Sequence, residues 1–259
     1  MSGFFYNLGR QLGHKAVPAI RKSKWIWDGL AGTDEEALRA ETALGNTLAA
    51  ELRAFTGPVN DPPLATLLND VCQRLGACVR DQARTFRCEP MRDDSPNAVA
   101  LPGGFVFVSH SLADWCERHR DELAFVVGHE MAHVIRKHVW ERMLNETAMR
   151  AVSAVTARAG RLGGWFREQG MGLLRSAYSR DSELEADELG LRLAAAAGYA
   201  PAGAMLFLQR IQRLGPNPTE LGQYLASHPA ATERMARLAP LVQQLSEVRA
   251  APVPPTDKL

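Results

Sequence analysis

The chain has 259 residues, and its 30 lysines and arginines nearly balance 29 aspartates and glutamates, leaving a formal net charge of +1. This mixed charge excludes a protein that binds nucleic acid through bulk positive charge, and we expect no nucleic-acid partner. With 46% hydrophobic and 23% charged residues, the composition is that of a globular protein with a substantial core.

The first 27 residues combine basic and bulky apolar side chains and contain no acidic residue before Asp28. One interpretation is a basic amphipathic arm that makes peripheral contact with an anionic membrane surface. The alternative is an arm whose aromatic rings pack on its own domain. We therefore divide the chain into an arm over 1–28, one folded domain over 29–248 and a disordered, proline-containing tail over 249–259.

Neither a signal peptide nor a transmembrane span is evident in the sequence. The segment 1–13 is interrupted by polar residues and precedes no small-residue cleavage site. Arginines are spread through the moderately apolar stretch 148–178, where each costs about 2.5 to 3.5 kcal/mol at mid-membrane. We expect a cytoplasmic protein that is either free or peripheral to a membrane. The glycines of 148–178 permit either a mobile lid or an ordinary loop.

Hydrophobic periodicity predicts a mainly α-helical α+β fold with a small mixed or antiparallel sheet. Turn signals, Ser-Pro-Asn and Pro-Gly-Gly, separate the short apolar runs of the sheet. The four cysteines show no two-residue spacing, which favours buried reduced thiols over a thiolate metal site. Helices are predicted over 34–55, 63–80, 121–141, 181–197, 201–214 and 230–248, and strands over 85–91, 98–101 and 105–108.

The segment 126–135 contains His-Glu-x-x-His inside an apolar helical run. Four residues advance a helix by about 400°, so His129 and His133 share one face and can reach one ion. Zinc suits neutral imidazole ligands, and Glu130 then lies beside the metal without binding it. In a random chain of this length and composition, the expected number of such strings is about 0.01. The alternative is two core histidines with polar partners.

A catalytic zinc needs a third protein ligand and an open position for water. His138 is a poor candidate, because it would lie about 180° from His129 on a continuous helix. The acidic helix start at 179–188 is better: Glu183 can bind the metal, and Asp187 can accept a hydrogen bond from the outer nitrogen of a ligand histidine. Capping and compensation of the helix dipole are the alternative roles of these acids.

Four motifs in order resemble the HtpX and CAAX prenyl protease type of zinc endopeptidase, a gluzincin, and most closely its soluble or Oma-type members. The resemblance implies a zincin-like fold whose small sheet packs beside the active-site helix. It also implies His129, His133 and Glu183 as zinc ligands and Glu130 as catalytic base. The arginines in 148–178 depart from the integral members and argue against a membrane-embedded chamber for prenylated substrates. The motifs are His-Glu-x-x-His, Ser179-Arg180-x-x-Glu183-x-x-Ala186-Asp187, Asn97-Ala98-x-Ala100-Leu101-Pro102-Gly103-Gly104, and Ser227-His228-Pro229 followed by Arg234.

The same resemblance implies that the strand containing Asn97, Ala98 and Ala100 is an edge on which a substrate backbone pairs. It also implies that the His-Pro loop lies near the site. We expect His228 to donate a hydrogen bond to the tetrahedral oxyanion, with Arg234 orienting it or binding substrate. A turn histidine and a solvated arginine are the alternatives.

These observations predict a zinc-dependent endopeptidase with one Zn²⁺ per chain that hydrolyses polypeptide substrates, in a role such as protein quality control. Metal-activated water would attack the peptide carbonyl, and Glu130 would act as general base. Two alternatives stay open: an inactive homologue that serves as a zinc-stabilised protein-binding or holdase module, and a zinc hydrolase of a non-peptide ester or amide. Substrate identity and oligomeric state do not follow from the sequence.

Overall fold

The computed structural model describes residues 34–139, 178–214, 228 and 231–250. Within them helices outweigh strands, and a small mixed sheet accompanies the helices, which confirms the predicted α+β class. The proposed arm, most of the stretch 148–178 and the end of the tail lie outside the described residues. The elements are α1 (Asp34–Thr56), α2 (Pro62–Ala77), β1 (Arg87–Met91), β2 (Ala98–Leu101), β3 (Phe105–Ser109), α3 (His110–Trp115), α4 (Arg120–Ile135), α5 (Arg180–Ala196), α6 (Ala202–Arg213) and α7 (Ala231–Ala250).

The sheet has the order β1-β3-β2, with β1 parallel and β2 antiparallel to β3. The chain passes from β2 into β3 through a single helical turn, Pro102–Gly104. Gly103 and Gly104 adopt φ angles of 76° and 87°, a left-handed conformation that glycine tolerates without strain. The Pro-Gly-Gly signal in the sequence therefore marks the connection that sets β2 at one edge of the described sheet.

Alternating side chains divide the sheet between two layers of helix. Val106 and Val108 face the side of α4 and share its core with Phe125 and Met131. Residues from the other face, among them Phe107, pack with side chains of α1. Because the strands are covered on both sides, all five residues of β3 are buried.

Helices α4 and α5 cross with their backbones in contact at two glycines. A Cβ atom built on Gly128 would lie 2.8 Å from the carbonyl oxygen of Gly190. A Cβ atom built on Gly190 would lie only 2.6 Å from the backbone nitrogen of His129. Real side chains do not fit at such distances, so this crossing requires glycine on both helices. It brings the histidine-bearing turn of α4 against the acidic first half of α5.

Helix α4 ends at Ile135, six residues before its predicted end. Lys137 adopts a positive φ of 61°, so the chain turns out of the helical path before it reaches His138. The prediction that His138 lies on the opposite face of a continuous helix is therefore wrong. Buried Val139 packs beside Tyr178 and Val134 and holds the turned segment against the core.

Two smaller expectations were incomplete. Helix α3 was not predicted; its N-terminus is capped by Ser109, whose Oγ accepts a hydrogen bond from the Leu112 nitrogen at 3.0 Å. Of the four free cysteines, Cys78 is exposed and the others are buried as expected. Burial raises the pKa of the Cys72 thiol to about 12, which keeps it protonated and unreactive.

Among helices in the described ranges, none has the length and apolar character needed to cross a bilayer.

We expect Gly190→Ala to destabilise the protein by about 1–3 kcal/mol, because the new methyl group meets backbone atoms that cannot move aside independently. Urea unfolding of the full chain measures this loss. Gly76→Ala is the matched control: it lies in α2, its Cβ would meet nothing within 4 Å, and it should stabilise by up to about 1 kcal/mol. Equal stability of the two variants would show that the crossing tolerates a side chain.

Candidate metal centre

Seven of the predicted site residues come together from three parts of the fold. Helix α4 carries the two histidines and the first glutamate, helix α5 carries the two downstream acids, and the remaining pair lies just before α7 and in its first turn. None has more than 2% of its surface exposed. The structure thereby brings together His129, Glu130, His133, Glu183, Asp187, His228 and Arg234.

Three side chains offer ligand atoms with the spacing of a tetrahedral ion. The Nε2 atoms of His129 and His133 are 3.1 Å apart, and His133 Nε2 lies 3.3 Å from Glu183 Oε1. His129 Nε2 lies 3.8 Å from the other oxygen of Glu183. Bonds of about 2.0–2.1 Å to a tetrahedral zinc ion separate ligand atoms by roughly 3.3 Å. The two imidazoles and the carboxylate therefore fit one zinc ion.

Two buried carboxylate oxygens support the same conclusion. Within the described parts of the chain, Glu130 Oε1 and Glu183 Oε2 accept no hydrogen bond. A buried carboxylate oxygen without a partner is costly, and a bound cation or an ordered water molecule removes that cost. A cation on Glu183 and a water molecule beside Glu130 would satisfy these two oxygens.

The pKa shifts of Glu183 and His133 suit a divalent cation, whereas the pKa of His129 is raised: burial lowers it, but the hydrogen bond to Asp187 and the charge of Glu183 outweigh burial. Burial raises the pKa of the Glu183 carboxyl, but the surrounding imidazoles of His228, His133 and His129 outweigh it and hold that pKa below its usual range. Burial also lowers the pKa of His133 well below that of free histidine. An ionised carboxylate and a neutral imidazole are the forms that bind metal.

Asp187 holds the ring of His129. The His129 Nδ1 atom lies 2.9 Å from Asp187 Oδ1, so Nδ1–H donates to the carboxylate and leaves the Nε2 lone pair toward the centre. Arg234 donates two hydrogen bonds to the same carboxylate, from Nε to Oδ2 at 2.8 Å and from Nη2 to Oδ1 at 2.7 Å. Burial raises the Asp187 pKa, yet the Arg234 charge and these hydrogen bonds lower it to about 2. Arg234 therefore holds Asp187, and its Nη1 atom also lies 3.6 Å from Glu183 Oε2.

His228 lies closer to the centre than its predicted role as a donor to substrate requires. Its Nδ1 atom is 3.2 Å from His129 Nε2 and 2.9 Å from Glu183 Oε1, so it can be a fourth ligand. Its Nε2 atom lies 3.4 Å from Glu130 Oε1. No spacing rule links His228 to the two helices, and its place in the cluster follows only from the fold.

Tyr178 was missed by sequence reasoning. Its ring stacks on the imidazole of His133, with centroids 3.7 Å apart and planes 16° from parallel. Nothing in the local sequence distinguishes this tyrosine, because the contact joins the segment before α5 to the end of α4. The stacking restricts the orientation of the His133 ring.

The predicted substrate strand is present, but its alanines are internal. Ala98 and Ala100 are 2% and 0% exposed, and Ala100 packs with Val134 of α4. The Asn97 nitrogen donates to Ser109 Oγ at 2.8 Å, and the Ser109 nitrogen donates to the Asn97 carbonyl at 2.9 Å. These contacts fix the start of β2, so any substrate contact of the alanines is through their backbone.

The sequence model of Peptidase family M48 matches residues 61–242. The chain belongs to Peptidase family M48. This match spans the sheet, both metal-facing helices and the segment that carries His228. Members of this family depend on a metal ion, in agreement with the buried His/Glu group described above.

The curated relatives that the chain matches are named as proteases or metalloendopeptidases. The chain is 28% identical over 227 residues to a putative beta-barrel assembly-enhancing protease of Vibrio cholerae, covering 82% of this chain and 46% of the relative. It is 31% identical over 178 residues to the mitochondrial metalloendopeptidase OMA1 of Schizosaccharomyces pombe, covering 68% and 52%. The Escherichia coli beta-barrel assembly-enhancing protease matches at 24% over 230 residues, covering 80% and 46%. This M48 chain thus spans about half the length of the curated relatives that it matches.

We expect Arg234→Met to destabilise this M48 protein by about 3–5 kcal/mol, because it leaves the buried Asp187 carboxylate without its cation. Chemical denaturation in the presence of a chelator measures the effect without a contribution from metal. Arg39→Met is the control: Arg39 and Glu35 form an ion pair with 73% and 75% of their side chains exposed, so its loss should cost under about 0.5 kcal/mol. Similar losses in both variants would remove the special role of the Arg234–Asp187 pair.

Proposed function

We propose that this protein is a zinc-dependent endopeptidase. One observation carries the proposal: ligand atoms of His129, His133 and Glu183 converge at tetrahedral spacing, and the buried carboxylate of Glu130 lies 3.4 Å from His228, which borders them. The mixed nitrogen and oxygen donor set and this spacing favour zinc over magnesium or calcium, which prefer six or more oxygens. The names of the relatives, a protease and a metalloendopeptidase, support peptide bonds as the target.

Glu130 is proposed as the general base. A zinc ion bound at this centre supplies a Lewis acid that acidifies water and polarises a peptide carbonyl. Glu130 takes the proton of the attacking water on its buried, otherwise unsatisfied Oε1 atom and passes it to the leaving amine. This role uses both protonation states of one carboxyl group, so no second acid is needed.

His228 is proposed as the donor that stabilises the oxyanion. Its Nε2 atom lies 3.4 Å from Glu130 Oε1, so the ring borders the place where water and carbonyl must meet. A nitrogen that donates there stabilises the developing negative charge. Arg234 is proposed to act through the residues that it holds, because Nε and Nη2 donate to Asp187 and Nη1 lies 3.6 Å from Glu183 Oε2.

The substrate is proposed to be an extended polypeptide that pairs with the backbone of β2, from Asn97 through Ala100. This strand lies at one edge of the described sheet and packs directly beside α4. Pairing through backbone hydrogen bonds gives affinity with weak side-chain selectivity. Such selectivity suits a protease of protein quality control, and a relative named as beta-barrel assembly-enhancing agrees with that role.

The finer classification and the location are also proposals. The four motifs favour the HtpX and CAAX prenyl protease type, nearest its soluble or Oma-type members, and a relative named OMA1 agrees with this placement. We propose a cytoplasmic protein that is either free or peripheral to a membrane, the membrane contact then being made by residues 1–27. That contact stays a prediction, since the arm lies outside the described residues.

The alternative of an inactive, zinc-stabilised protein-binding module has one observation in its favour. His228 Nδ1 is near enough to the ligand atoms to close the site as a fourth ligand, and closed sites are typical of structural zinc. Glu130 favours the enzyme, because a structural site has no use for a buried carboxylate beside its ligands. The variant His228→Ala separates the two.

Removal of zinc with a chelator should abolish hydrolysis of casein, and added zinc should restore it. Glu183→Ala should lose bound metal, because it removes the only acidic ligand proposed. His228→Ala should retain one zinc per chain and lose turnover if His228 is a donor to substrate. Metal analysis after dialysis measures both. Full zinc content in Glu183→Ala would exclude Glu183 as a ligand, and metal loss in His228→Ala would favour the closed site.

Glu130→Gln should retain zinc and lose about 10²- to 10⁴-fold in kcat, since it removes the general base but keeps the shape of the side chain. A fluorogenic peptide assay together with metal analysis measures both quantities. Glu188→Gln is a matched control, because Glu188 is an exposed residue of α5 whose partner is Arg192. Unchanged turnover in Glu130→Gln would remove this residue from the mechanism.

A further inference from the structure

We propose that His138 and Glu185 are positioning residues for His133: they form a hydrogen-bonded relay that fixes the tautomer and direction of this ligand ring. The inference rests on the proposed zinc site. In this arrangement each ligand histidine has its own carboxylate. Asp187 contacts His129 directly, and Glu185 acts on His133 through the imidazole of His138.

The relay is continuous in the structure. His133 Nδ1 lies 3.1 Å from His138 Nδ1, and His138 Nε2 lies 3.3 Å from Glu185 Oε2. The other oxygen of Glu185 forms an ion pair with Arg136, whose Nε atom lies 2.9 Å away. His138 is 7% exposed, while Glu185 is nearly half exposed at the protein surface. The chain of contacts therefore runs from the buried centre to a surface ion pair.

Only one arrangement of protons makes this relay compatible with metal binding. The ionised Glu185 carboxylate can only accept, so His138 carries its proton on Nε2 and leaves Nδ1 as an acceptor. His133 then donates from Nδ1–H and keeps the lone pair of Nε2. That lone pair is on the nitrogen that lies 3.1 Å from His129 Nε2, at the centre.

The early end of α4 is what makes the relay possible. On a continuous helix, residues five apart point in different directions and their rings do not meet. The positive φ of Lys137 and the burial of Val139 turn His138 back over the last helical turn. Tyr178 stacks on His133 from a separate segment, so the ring is held by a hydrogen bond at its edge and by a ring on its face.

The test is the zinc affinity of the full chain, measured by competition with a chromophoric chelator. We expect His138→Leu to weaken binding about 10- to 100-fold, the usual cost of losing an outer partner of a ligand histidine. His138→Asn should recover most of the affinity, because its carbonyl oxygen occupies the position of Nδ1 and accepts the same hydrogen bond. Glu185→Gln should weaken binding less than His138→Leu. Adding it to His138→Leu should cause no further loss, since both act through one chain of contacts.

Two controls separate this role from a general contribution to folding. His110→Leu removes a histidine of α3 that does not belong to the metal group and should leave zinc affinity unchanged. The unfolding midpoint of each variant with chelator present reports stability without metal. A purely structural role predicts that affinity follows stability and that Asn and Leu behave alike.

A second measurement needs no variant. Long-range ¹H–¹⁵N NMR of the zinc-loaded wild type should show the proton of His133 on Nδ1 and that of His138 on Nε2. The inference is overturned if His138→Leu binds zinc as tightly as wild type, if Asn rescues nothing, or if His138 is protonated on Nδ1. A wild-type chain that binds no zinc would instead refute the proposed function itself.

Discussion

The contact between Gly128 and Gly190 determines the geometry on which the metal centre depends. Because neither residue has a side chain, the two helices approach until backbone meets backbone. At this separation a carboxylate as short as that of Asp187 reaches the Nδ1 atom of His129. A wider crossing would place water or a longer side chain between them, and the ligand ring would lose its fixed orientation.

Burial and charge then act together at the centre. An acid as deeply buried as Asp187 is expensive to ionise, and the guanidinium of Arg234 makes the ionised form the favourable one. Arg234 of α7 thus binds Asp187 of α5, which in turn contacts His129 of α4. The buried carboxylate of Asp187 therefore links all three helices. The Arg234–Asp187 ion pair therefore contributes both to the stability of the fold and to the ionised state of Asp187.

The sequence predicted the spacing of residues along a single helix, but it did not predict contacts between distant segments. The four-residue interval between His129 and His133, and that between Glu183 and Asp187, follow from helix geometry. The glycine crossing gave no such signal, because isolated glycines in helices have many causes. The early end of α4 was missed because Arg136, Lys137 and His138 include neither glycine nor proline, and a lysine at positive φ is rare. Tyr178 and His228 became recognisable only when the fold placed them against the histidines.

The three acids that bind the proposed metal or support its histidines are carried by α5 within a span of five residues: Glu183 as proposed ligand, Asp187 against the first histidine and Glu185 against His138. A helix moves as a rigid unit, so these carboxylates cannot arrive or depart separately. Any event that lifts α5 from α4 removes the ligand and both supporting acids in one step. Metal binding at the centre is consequently coupled, all or none, to the packing of α5 on α4.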